Sequence, residues 1–211
     1  MTVLETERLY LRHFSGDDAE FIVDLLSQPS FLQYIGDRGV RSADDARRYI
    51  ARGPLQSYTR YGFGLYAVEL KDRRVTAGMC GLMKKPWLAH ADLAYAFLPR
   101  FWSQGYAREA AAAVLDEGRD VWRLDRVLAV VTPDNAPSIR LLEKLGFAFE
   151  QTIAAPDDGA GLSMLTTSLA SEGRPHVALL DADEVPEIVS VLADAFHDYP
   201  VMQYVLGDSA D

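Results

Sequence analysis

The chain has 211 residues, 49% of them hydrophobic and 25% charged, with one cysteine, Cys80; that is enough for a core without metal or disulfide staples, and an internal disulfide is excluded. The formal net charge of -10 is uneven, because nine acids and one base (Arg174) fall in 171–211 and 22 acids and 20 bases in 1–170. A near-neutral body with an acidic tail lacks the basic stripe of a nucleic-acid binder, and no apolar run approaches a bilayer span, so no membrane partner is expected. The charged start has no apolar h-region of a secretion signal, and a reducing cytoplasm is the expected compartment.

Residues 4–14 alternate Leu9 and Leu11 against Arg8, Tyr10 and Arg12, which predicts a first strand. Ser15 to Asp18 predicts a turn and N-cap for a helix over 19–26, ended by Pro29. Ser42 and the acids after it open a second helix, to about Tyr58, suited to the helix dipole. A hairpin follows, 63–70 and 75–83 around Lys71-Asp-Arg-Arg74, and then a strand over 91–98. A loop at 99–104 leads to a long helix from Gly105 or Tyr106 to about Trp122, with Ala110, Ala111, Val114 and Leu115 at helical spacing. A short apolar strand is expected at 126–132, of the kind buried on both faces. A helix at 136–144 is closed by Gly146. Last strands are expected at 147–153 and 162–169, around a turn at 157–161. The expected fold class is α/β: a central mixed, mostly antiparallel twisted sheet with helices on both faces. The strand–helix–strand unit at 91–132 should be its one parallel pair.

Two segments carry chemistry. In Leu98-Pro-Arg-Phe-Trp-Ser-Gln-Gly-Tyr-Ala-Arg108 a strand ends and a glycine opens a long helix. Such a helix start displays unpaired N–H groups and a positive dipole end, which hold an anion. The plain alternative is a β–α turn that uses glycine. It is not a phosphate loop of the Gly-Lys-Ser/Thr type, and Gly62-Phe-Gly64 leads into a strand, unlike a dinucleotide fingerprint. In Pro133-Asp-Asn-Ala-Pro-Ser-Ile-Arg-Leu-Leu-Glu-Lys-Leu-Gly-Phe147, Asn135 and Ser138 sit at a helix start. They either cap the helix or face the crevice at the carboxyl ends of parallel strands, where open sheets bind ligands.

Trp102-Ser-Gln-Gly-Tyr-Ala107 and Asn135-x-x-Ser138-x-x-Leu-Leu-Glu-Lys-Leu-Gly-Phe147, some thirty residues apart, resemble the cofactor core of GNAT acetyltransferases. Leu4-Glu-Thr-Glu-Arg-Leu-Tyr-Leu-Arg12, Gly78-Met-Cys-Gly81-Leu and Ala91-Asp-Leu-Ala-Tyr-Ala-Phe97 are similar to the branch of ribosomal-protein N-terminal acetyltransferases. The resemblance spans about residues 2–169. It implies acetyl-CoA, with the pantetheine arm in a gap between two splayed strands, against backbone groups around Phe97 and Leu98. It implies pyrophosphate contacts at the loop and helix start, Trp102, Ser103, Gln104, Gly105, Tyr106, Ala107 and Arg108, and it places Asn135 and Ser138 at the acetyl end. The chain departs from the wider superfamily at Trp102, usually Gln or Arg, and at Leu142, where a tyrosine acid usually stands.

The expected reaction is acetyl transfer to a primary amine, of a protein N-terminus or of a small molecule, by direct attack in a ternary complex. A backbone N–H near Phe97 or Leu98 would hold the oxyanion. Ser138 is the candidate acid, or else a cap hydroxyl. Asp92 is the candidate base, or else a solvated strand residue, with Glu69, Glu150 and Tyr95 as weaker candidates. Cys80, alone in an apolar strand, reads as buried rather than acetyl-carrying. His13, His90, His176 and His197 show no metal spacing, so no metal is expected. Trp87, Trp102 and Tyr106 could shape an acceptor pocket or fill the core. Acceptor specificity would sit in 28–41 and 154–161. The competing function is a non-catalytic acyl-CoA-binding or regulatory module.

Residues 1–170 read as one domain and 171–211 as an acidic extension. Its strand-like 176–180 and amphipathic helix at 184–196 resemble the start of a second GNAT domain cut off before its cofactor motifs. One strand and one helix cannot bury an amphipathic face alone. The extension is expected to dock on the body or on another chain, as in a homodimer.

Overall fold

The computed structural model describes residues 2–156 and 159–170. The extension at 171–211 and part of the turn at 157–161, with the expectations attached to them, lie outside the described residues.

The expected first strand is a hairpin. β1 (Thr2–Glu5) and β2 (Leu9–Arg12) pair antiparallel, and the chain turns between them, with Thr6 N–H donating to Leu9 C=O at 3.0 Å. No glycine or proline marks this break. The Thr6 hydroxyl makes it, accepting from Leu9 N–H (3.1 Å) and donating to Glu109, far along the chain (2.6 Å).

Ser15 and Asp18 form a capping box where a turn and N-cap were expected, and α1 (Ala19–Leu26) follows. Asp18 is buried because it takes a two-pronged pair from Arg12, at 2.7 and 2.9 Å. Pro29 ends α1 but also starts α2 (Pro29–Tyr34), where it stands at the first position and has no N–H to lose. Ser42 caps α3 (Ala43–Ile50). The helical path runs on through one wide turn at Ala51–Leu55, which absorbs Pro54, into α4 (Gln56–Tyr61).

β3 (Leu65–Leu70), β4 (Thr76–Met83) and β5 (Ala91–Phe97) form a meander. α5 (Tyr106–Asp120) crosses over to β6 (Arg126–Val131), and α6 (Ala136–Lys144) leads to β7 (Ala148–Ala154) and β8 (Gly161–Ser168). The sheet order is β1-β2-β3-β4-β5-β6-β8-β7. β5 and β6 are parallel and every other neighbouring pair is antiparallel, as expected.

Helices surround this mixed sheet. α5 packs on β4 and β5, and α6 on β6. The core is continuous from Leu9 and Leu11 through Tyr66, Val68 and Leu82 to Ala110, Val114 and Leu165. Gly78 serves this packing: a Cβ there would lie 2.5 Å from the Phe97 ring, which covers it at the end of β5. Among the described residues, no helix is long and apolar enough to cross a membrane.

Candidate active site

β5 and β6 start as neighbours and part. Their parallel ladder holds only Ala91↔Val127 and Asp92↔Leu128. On its other side β5 stays paired with β4 as far as Gly78↔Phe97. Beyond Asp92, then, β5 shows β6 a backbone edge without rungs.

The rungs to β4 decide which groups line that edge. Leu98 N–H donates to Ala77 C=O at 3.0 Å. Rungs alternate in an antiparallel pair, so the Phe97–Gly78 pair is non-bonded, and Phe97 N–H and C=O turn towards β6. Of the two amides named for the oxyanion, that of Leu98 is committed to the sheet. The Phe97 carbonyl is also taken, by Trp102 Nε1 at 2.7 Å. The Phe97 N–H is left facing the fork.

The helix start stands at the open end. Gly105 has φ 82 and precedes α5, and Ser103 has φ 59. The first backbone bond inside the helix runs from Glu109 N–H to Gly105 C=O, 3.0 Å. The amides of Tyr106, Ala107 and Arg108 stand ahead of it without an intrahelical acceptor, at the positive end of a 15-residue helix.

Arg8 fixes this loop, which the sequence pattern did not reveal. Its Nη1 donates to Gln104 C=O (3.0 Å), its Nε to Glu109 (2.7 Å), and its guanidinium lies 4.7 Å from the Tyr106 ring centre. Burial would raise the Glu109 carboxyl, but the hydrogen bonds from Thr6 and Arg8 hold it below its ordinary value. Tyr106 itself is core, so it adds its amide and not its ring to the site.

On the β6 side, Asn135 caps α6, accepting from Ser138 N–H at 3.2 Å. Ser138 is not a second cap. Its Oγ lies 2.6 Å from the Tyr95 hydroxyl, which also reaches the Ser138 carbonyl at 3.3 Å. Burial pushes the Tyr95 phenol up to about 12, and the Ser138 bond pulls it partly back. Leu142, at the tyrosine-acid position, is buried core; a phenol reaches this site from β5 instead. Thr132 Oγ1, just past the open end of β6, is a buried hydroxyl with no hydrogen-bond partner among the described residues.

Asp92 is not the solvated strand residue of the plain alternative. It is 1% exposed. Its Oδ1 accepts Val130 N–H at 3.1 Å, and its Oδ2 lies 2.6 Å from Lys85 Nζ. Burial raises its pKa and the Lys85 charge opposes that. Glu69 pairs with Arg12 and Arg74 on β3, and Glu150 with Arg126 on β7; each lies two strands from the fork. Cys80 is fully buried, and burial raises its thiol. Trp87 lines a hollow with Arg126, Leu128 and Glu150 at the closed end of the fork. His13 is stacked on Tyr58, with ring centres 4.0 Å apart. Among the described residues, no group of three or more His, Cys, Asp or Glu could hold a metal.

A fork in a sheet, open at the carboxyl ends of its parallel strands and headed by a helix N-terminus, is a site for an elongated ligand with an anionic end. The chain belongs to the GNAT acetyltransferase family: residues 8–148 match the model described as an acetyltransferase (GNAT) domain. It is 32% identical over 150 residues to the uncharacterized N-acetyltransferase YoaA of Bacillus subtilis (strain 168), over 70% of this chain and 84% of that protein. Its fold is similar to that of a ribosomal-protein-S5-alanine acetyltransferase from Vibrio fischeri, with 15% identity, a TM-score of 0.67, and 80% of this chain and 97% of that one covered. It is similar also to that of a spermidine N-acetyltransferase from Vibrio cholerae in complex with CoA and spermine, with 18% identity, a TM-score of 0.64, and 78% and 97% covered. At these identities the two structures show the fold alone.

The GNAT family uses acetyl-CoA, and the residues present suit it. A strand edge released after two rungs, three amides at a helix start without an intrahelical acceptor, a glycine at their head and a buried hydroxyl with no partner among the described residues are what such a ligand would complete.

Proposed function

We propose that this acetyltransferase moves the acetyl group of acetyl-CoA to a primary amine by direct attack in a ternary complex, with the thioester held in the β5–β6 fork. The observation that carries the reading is the two-rung ladder of β5 and β6, which opens beside the N-terminus of α5.

The amides of Gln104 to Arg108 would receive the pyrophosphate, and Gly105 lets the backbone come close to it. The Phe97 N–H, facing the fork, would hold the developing oxyanion of the thioester carbonyl. The amine nitrogen attacks that carbon, and the carbon–sulfur bond breaks. Ser138 donates a proton to the departing thiolate, and Tyr95 replaces it across their 2.6 Å contact. The nitrogen loses its proton to water, which returns one to Tyr95; of the carboxylate candidates, Asp92 is buried and Glu69 and Glu150 are paired with arginines two strands away. Asn135 sets the first turn of α6 and with it the Ser138 position.

Among proteins of this fold, the named acceptors include a ribosomal-protein alanine and spermidine. Both present primary amines, and a primary amine is the acceptor class proposed here.

Titration of the whole protein with acetyl-CoA by calorimetry, followed by thiol release with a panel of amino-terminal peptides and polyamines, tests the reading. Binding followed by amine-dependent release of CoA supports it. Binding without release under any amine would favour a non-catalytic acyl-CoA-binding module.

A further inference from the structure

We infer that Asp92 is not the catalytic base but the positioning residue that holds the β5–β6 fork open. The inference rests on the reading of that fork as the acetyl-CoA cleft.

The register locates the effect. The last rung position is Asp92↔Leu128. The rungs of β5 to β4 turn Leu93 backbone groups towards β6 by the same alternation that turns Phe97. In a regular parallel ladder the next β6 amide, that of Val130, would therefore donate to the Leu93 carbonyl. It donates instead to Asp92 Oδ1, 3.1 Å away. A side chain intercepts the amide that would zip the strands one rung further, and the strands part at that residue.

The carboxylate is held in place for this task. Asp92 is 1% exposed, and Lys85, from the turn between β4 and β5, closes on its other oxygen at 2.6 Å. Lys85 Nζ also lies over the Trp87 ring, 5.3 Å from its centre. A carboxylate that is 1% exposed, with one oxygen on a strand amide and the other on an ammonium, is poorly placed to meet an incoming amine, as a base must. It has the partners that a buried charge needs.

The role separates from catalysis by substitution. Asp92→Ala removes the acceptor, so the half-buried Val130 N–H is left without it or takes the Leu93 carbonyl and narrows the cleft. Asp92→Asn keeps an oxygen for Val130 and gives up only the ion pair, with Lys85 free to turn to solvent. Calorimetric titration with acetyl-CoA and steady-state rates across pH, on wild type and both variants, decide the matter.

The expected result is an acetyl-CoA dissociation constant raised about tenfold in Asp92→Ala, the equivalent of one unpaired, half-buried donor. Asp92→Asn should stay within about threefold of wild type with an unmoved pH–rate profile. Asp92→Ala that melts cooperatively and binds as tightly as wild type overturns the inference. So does Asp92→Asn with unchanged affinity and turnover lowered by on the order of a hundredfold, which is the signature of a lost base. If Asp92→Ala does not fold, Asp92→Asn alone decides between these. A wild-type protein that does not bind acetyl-CoA overturns the cleft reading itself, and this inference with it.

Discussion

The Tyr95 hydroxyl and Ser138 Oγ lie 2.6 Å apart, tying the middle of β5 to the first turn of α6. The two residues are 43 positions apart in sequence, and the contact spans the mouth of the strand fork. It gives the site a phenol although the usual position for one is occupied by Leu142. In the proposed scheme the pair acts as one proton source. Ser138→Ala should lower kcat by on the order of a hundredfold, and Tyr95→Phe by about tenfold. The double variant should fall no further than Ser138→Ala, because coupled groups are not additive. Steady-state rates with saturating acetyl-CoA test this; independent, multiplying effects would break the relay.

The same pair sets a pH dependence. Burial places the Tyr95 phenol near 12, above its ordinary 10.0. The phenol therefore keeps its proton through the neutral and mildly alkaline range. As pH rises, the acceptor amine loses its proton and the rate should climb, with no descending limb from Tyr95 until pH nears about 12. A kcat profile for the wild type that turns down with an apparent pKa near 10, and loses that limb in Tyr95→Phe, would contradict this.

Gly105→Ala tests the helix-start cradle. The residue sits at φ 82, and a Cβ there would stand 3.2 Å from Arg8 Nη2. The left-handed conformation costs a residue with a Cβ about 1–2 kcal/mol, and the methyl would press on the Arg8 guanidinium that holds the loop proposed to take the pyrophosphate. Melting temperature should fall, and acetyl-CoA affinity should fall by more than the change in stability explains. Unchanged affinity would move the anion site elsewhere.

Glu109 links the cradle to pH. Its folded carboxyl lies below the ordinary 4.5 despite partial burial, because Thr6 and Arg8 bond the charged form. A depressed carboxylate contributes stability above its unfolded value, and that contribution is lost as pH falls through the folded value. Wild-type stability should therefore drop on acidification below about 4.5. Part of that drop should vanish in Glu109→Gln. Thermal melts at several acidic pH values check this, and identical slopes in the two proteins would remove Glu109 from the account.

Much of the fold was legible because its signals are local. Asn135 and Gly146 bracket α6, whose expected bounds of 136–144 match the observed Ala136–Lys144. The apolar pattern of 126–132 marked a central strand. The helix start at Gly105 was readable because its amides and dipole follow from the helix alone.

What was not legible depends on register. The hairpin break at Thr6 is set by a hydroxyl bonded to Glu109, 103 residues away, and no turn residue announces it. Pro29 reads as a stop in either case, and only the structure shows that it is also a start. Arg8 on Gln104, Tyr95 on Ser138 and Asp92 on Val130 are long-range contacts whose existence follows from how the strands align. The sequence pointed to the residue types at the site; their partners came from the sheet.

Hydrogen exchange across the chain, with and without acetyl-CoA, tests the central claim most directly. The account predicts slowed exchange on binding at the β5 edge near Phe97 and at the first turn of α5, Tyr106 to Arg108. The Leu98 amide, already bonded to Ala77, should be protected in both states. Binding with protection confined to other segments, or no change at the fork and helix start, would contradict it.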